Sequence, residues 1–197
     1  MRQLTHSKRT PGEICPQVEE INGIVHPFTD QPHDYVDLMG KAARYSDLIR
    51  EVAEDKGRVL IFIGTMPEDT LDALKHLDEP AAKRLSEGLT DMSDTGRDAL
   101  RRELKLKGVR IKTDARYTIL DELSLLCKAV SSIEPERLIY FEDDVDSARL
   151  RRRLGGRVDA STVSVSFTGE KPNVCVKDRG SQVCDALSIP RQRLNIT

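Results

Sequence analysis

Three short runs of β-branched and aromatic residues, Arg58–Ile63, Val109–Thr113 and Leu138–Phe141, alternate with stretches whose apolar residues recur at helical spacing. A continuous apolar run of this length suits a strand buried on both faces, which needs helices above and below it. The alternation of strand and helix then predicts parallel pairing through right-handed crossovers. The chain's 197 residues suffice for one such core, and 38% of them are hydrophobic and can fill it. With 32% charged residues, the surface must be densely ionic.

The first helical stretch begins at Tyr35 behind Asp34, which can cap it, and carries Tyr45, Leu48, Ile49 and Val52 at helical spacing towards Gly57. After the run at 58–63, Gly64-Thr65-Met66-Pro67-Glu68 turns the chain. Thr65 and Glu68 stand at capping-box spacing, and Pro67 is tolerated in a first helical turn. Further helices are expected over 71–77, 81–89 and 97–107, and Ile119, Leu123, Leu126, Cys127 and Val130 mark the most regular amphipathic one. Beyond Gly155-Gly156 the pattern changes to alternation. Val163, Val165 and Phe167 sit among serines, turn residues follow at 168–173, and Val174-Cys175-Val176 resumes, which together read as a hairpin on a sheet edge. A short last helix is expected over 183–189. Prolines at 11, 16, 27 and 32 make the first residues an extended or partly disordered arm outside the core, its patch Ile21–Val25 docking at most one short strand. The fold expected is an α/β three-layer, Rossmann-like open sheet, mainly parallel, with a C-terminal antiparallel β-hairpin. It comprises an arm over 1–33, a single domain over 34–190 and a tail over 191–197.

Ligands of open parallel sheets bind outside the carboxyl ends of the strands. In this chain those ends bring together Gly64-Thr65, Thr113-Asp114 and Glu142-Asp143-Asp144. Gly64 and Thr65, beside a helix N-terminus, are a candidate phosphate site, because free amide N–H groups and the helix dipole both favour an anion. Capping of the helix by Thr65 explains the same residues without a ligand. Glu142, Asp143 and Asp144 supply the hard oxygen donors that suit Mg²⁺, which can align a phosphodiester for in-line attack. Architecture competes for them too: Asp144 or Asp146 can cap the next helix, and the other acids are favoured by its positive end. Over residues 137–146, the apolar strand ending in Glu142-Asp143-Asp144 resembles the D-x-D strand of Toprim nuclease and primase domains. Ile63 stands where that family's first strand carries its glutamate. The resemblance implies metal-dependent phosphoryl transfer.

The net charge of -2 hides segregation. Arg97, Arg101, Arg102 and Lys105, continued by Lys107, Arg110, Lys112 and Arg116, form one basic group; Arg149, Arg151, Arg152, Arg153 and Arg157 form a second. Side by side, the two groups would make an electrostatic footprint for a nucleic-acid backbone, although arginine-rich helix faces are often only solvated. A stacking platform for single strands is disfavoured by the absence of Trp and by only 4 Phe and 4 Tyr. His6, His26, His33 and His76 lack metal-ligand spacing, the four cysteines lack C-x-x-C spacing, and no G-x-S-x-G elbow is present. No window approaches the roughly 20 apolar residues of a membrane span, and residues 1–11 lack a signal-peptide core, so a cytoplasmic chain without membrane contact is expected. Three functions follow. The first is a non-catalytic or regulatory module, without a cofactor, that binds a polyanionic partner, nucleic acid foremost, through its arginine-rich helices. The second is a nuclease-like enzyme with Mg²⁺ on Glu142, Asp143 and Asp144. The third is a protein-interaction or assembly subunit that augments a partner's sheet through the N-terminal arm or the hairpin edge.

Overall fold

The computed structural model describes residues 16–27, 35–75, 115–169 and 172–197. The elements expected over 81–89, 97–107 and 109–113 lie outside those residues. In chain order the elements are β1 (Glu20–Val25), α1 (Tyr35–Glu54), β2 (Arg58–Ile63), α2 (Pro67–Lys75), α3 (Ala115–Ser131), β3 (Leu138–Phe141), α4 (Ser147–Leu154) and β4 (Ser164–Gly169). A π-helical turn (Pro172–Val176) leads into α5 (Lys177–Ala186), and a 3-10 turn (Arg191–Arg193) leads into β5 (Leu194–Ile196).

Among the described residues the strands form one sheet in the order β3-β2-β1-β4-β5, with every pairing parallel. The apolar runs at 58–63 and 138–141 are strands as expected. β1 corrects the expected arm. It is the central strand, hydrogen-bonded to β2 and β4, and Ile21, Ile24 and Val25 are fully buried. Its sequence hides this, because Asn22 and Gly23 interrupt the apolar run that marks a strand buried on both faces. Likewise, residues 194–196 of the expected tail are β5.

Each face of the sheet carries its own core. On one, Ile24, Leu60 and Phe62 pack with Tyr45, Ile49 and Val52 of α1 and Leu123, Leu126 and Val130 of α3. On the other, Val25, Ile61, Phe141, Val165 and Phe167 pack with Leu150 and Leu154 of α4 and Val183 and Cys184 of α5. The expected antiparallel hairpin is absent: β4 pairs parallel with both neighbours, and 174–176 belongs to the helical segment that follows. The alternation that suggested a hairpin has another cause. Val165 and Phe167 enter the core under α4 and α5, while Ser164, Ser166 and Thr168 point to the opposite face, where they remain at least partly exposed. A solvated face produces alternation in either strand orientation.

At the amino edge of the sheet, Arg137 fastens α1 to β2 and β3. Its guanidinium, 3% exposed as a residue, donates to the carbonyls of Val52, Ala53, Asp55 (2.8 Å) and Arg58 (3.1 Å) and to the Glu134 carboxylate. The last carbonyls of a helix have no partner within it, so this side chain acts as the C-terminal cap of α1. Arg58 adds ion pairs to Glu20 (3.2 Å), Glu51 (2.8 Å) and Asp55 (3.3 Å).

Candidate functional site

The chain passes to opposite sides of the sheet from β1: β2 and β3 lie one way, β4 and β5 the other. That switch point is where open α/β sheets form a crevice at their carboxyl edge. Unusual backbone collects there. His26 after β1 has φ 46, Gly64 after β2 has φ 108, and Gly169 at the end of β4 has φ 144. A Cβ on Gly169 would stand 2.0 Å from the Val25 carbonyl oxygen, and one on Gly64 2.9 Å from His26 Nδ1, so both positions need glycine. The turns are also tied to the sheet, His26 N–H donating to Ile63 (2.7 Å) and Gly64 N–H to Phe141 (2.9 Å). The Gly64 amide, one of the donors expected to meet a phosphate, is thus engaged by β3.

The acids after β3 diverge. Asp143 meets Arg179 Nη2 at 2.8 Å and Asp144 meets Nη1 at 2.5 Å, with Asp178 also 3.3 Å from Nη1. Arg179 comes from α5, and its neighbour Gln182 accepts from the Val145 N–H at 3.3 Å. His26 Nε2 lies 3.8 Å from Asp143. Asp146 caps α4, accepting from the Arg149 N–H at 2.9 Å, and that bond holds its carboxyl below the usual aspartate range. The Tyr140 hydroxyl is pushed up chiefly by burial, then by the Asp69 and Glu142 carboxylates. The run that reads as one acidic cluster is therefore divided between the Arg179 clasp and the cap of α4. Among the described residues no group of three or more His, Cys, Asp or Glu side chains is placed to hold a metal ion. A basic side chain, Arg179, occupies the position a cation would take between Asp143 and Asp144. Sequence reasoning missed it because nothing local links Arg179 to acids 35 and 36 residues earlier.

The second basic group lies on and just after α4. Arg149, Arg151, Arg152 and Arg153 are all exposed. Arg153 donates to the carbonyls of Pro135 (2.5 Å) and Leu138 (3.1 Å), shielding part of the β3 edge, and Arg157 donates to Pro16 (3.2 Å) and Glu136 (3.4 Å). Arg149 stacks over the Phe141 ring, 5.4 Å from its centroid. Arg97, Arg101, Arg102, Lys105, Thr113 and Asp114 lie outside the described residues. No helix among the described residues is long and apolar enough to cross a membrane.

No protein-family model, curated protein or solved structure matches the chain. The fold and site define the class of protein as an open parallel α/β domain with an ionic clasp at its carboxyl edge and a basic helix on one flank.

Proposed function

We propose that the chain is a non-catalytic α/β module that binds a polyanion, nucleic acid foremost, through the outward face of α4. The observation that carries this reading is a contrast among arginines. Arg50, Arg58, Arg137, Arg179 and Arg191 are each matched to carboxylates, and Arg153, Arg157 and Arg193 to backbone carbonyls. Arg149, Arg151 and Arg152 stand exposed on the eight-residue α4 without an ion pair among the described residues. Asp146, the acid at the start of that helix, is taken up by capping. Arg151 and Arg152 also complement the negative end of the α4 dipole, an effect worth about 0.3–1 kcal/mol at an exposed position. That role alone requires no ligand.

Salt dependence separates the two roles. Three phosphate contacts give a slope of log K against log salt of about -2.7 on duplex and about -2.1 on single strands. Binding of duplex and single-stranded DNA and RNA at low salt, with little sequence preference and a slope of this size, is the expected result. A steeper slope places further cations outside α4. No binding to any of these polymers at low salt eliminates the reading.

A further inference from the structure

β1, the central strand, carries an amide in its middle. Asn22 is 1% exposed, and its Nδ2 has no hydrogen-bond partner among the described residues. A buried donor in that state destabilises a fold, and an apolar residue of similar size would avoid the loss. The register sets Asn22 level with Ser166 of β4, and Ser166 level with Asn195 of β5. Level residues on neighbouring strands share a face about 5 Å apart. Ser164 and Thr168 of β4 extend the same face. Here α1 and α3 pack over Ile24, Leu60 and Phe62, while α4 and α5 cover the opposite side. A row of amides and hydroxyls therefore leads from buried Asn22, through half-buried Ser166, to exposed Asn195. The charged residue nearest in register, Glu20, level with Ser164, is paired with Arg58 at 3.2 Å.

We propose that this row binds a neutral, hydroxyl-bearing small molecule, a polyol or saccharide, one of whose oxygens accepts from Asn22 Nδ2. Ser, Thr and Asn side chains each both donate and accept, which matches hydroxyl groups that do the same. Among the described residues the row is uncharged and offers no counter-charge to a phosphate or carboxylate. The site lies across the sheet from α4, so it stands or falls independently of polyanion binding.

The test is a titration of the isotope-labelled full chain with glucose, ribose and myo-inositol, read at the Asn22 side-chain amide resonances. A saturable shift with at least one probe is expected, lost in Asn22→Val and weakened in Ser166→Ala and Asn195→Ala. Asn195 is exposed, so its variant keeps the test valid if Asn22→Val does not fold. Absence of a saturable shift with every probe overturns the proposal, as does a shift that survives Asn195→Ala and Ser166→Ala unchanged. An Asn22 amide held by a long-lived internal water that no probe displaces overturns it too.

Discussion

A single guanidinium, that of Arg137, satisfies carbonyls from the end of α1 and the start of β2. Arg137→Met keeps most of the apolar stem but leaves buried acceptors without donors, so a loss on the order of 3 kcal/mol is expected. The check is the urea midpoint at unchanged m value; a variant within about 0.5 kcal/mol of the parent would contradict the capping role. Asp146 makes a second residue-scale case. Its folded-state carboxyl lies below the ordinary value of 3.8, chiefly through the Arg149 N–H bond, so its stabilising effect is complete above that value and fades as pH falls through the lowered one. Glu134, Asp159 and Asp185 are lowered as well, by Arg137, Ser161 and Arg191 respectively, so all four act in the same direction. The stability difference between the parent and Asp146→Ala should be constant near neutrality and close to nothing in strong acid. A difference that grows on acidification would contradict the sign.

Between elements, the decisive contact is the clasp from α5 to the β3–α4 loop, in which Arg179 joins Asp143 and Asp144. Arg179 already supplies positive charge to one oxygen of each acid, so Mg²⁺ should leave the melting temperature of the parent unchanged, whereas Arg179→Gln should both loosen the loop and confer a Mg²⁺-dependent rise. A rise in the parent itself, lost in the Asp143→Asn, Asp144→Asn double variant, would instead favour the metal-dependent enzyme. The sequence makes the locally encoded elements legible. β2 and β3 show as unbroken apolar runs, α1 and α3 as periodic stripes, and Asp146 as a cap three residues before the amide it binds. It conceals what depends on distant neighbours. Asn22 and Gly23 disguise the central strand, the uncovered face of β4 imitates a hairpin, and β5 has only three residues. The carboxyl-edge site was legible as a location, since the ends of β2 and β3 converge there, but not in its chemistry. His26 reaches it from the end of β1, whose prolines and polar flanks disguise it as an arm, and Arg179 from α5, which packs on β4.

At the scale of the molecule, the carboxyl edge and α4 differ in charge. Among the described residues the edge carries Glu68, Asp69, Glu142, Asp143, Asp144 and Asp178 against Lys177 and Arg179, whereas α4 carries four exposed arginines. An acidic edge repels a phosphate backbone and a basic flank attracts it, so a polyanion is steered towards α4 and away from the switch-point crevice. The chain as a whole stays near neutrality at -2, so binding must come from this local field rather than from net charge. The most direct measurement is the salt dependence of duplex DNA binding for the parent and for Arg149→Glu, Arg151→Glu, Arg152→Glu combined, in full-length chains with matching circular dichroism. Loss of binding at low salt, or a slope reduced in magnitude by about 2.7, is the result the account predicts. Parent and variant binding with the same affinity and slope would contradict it.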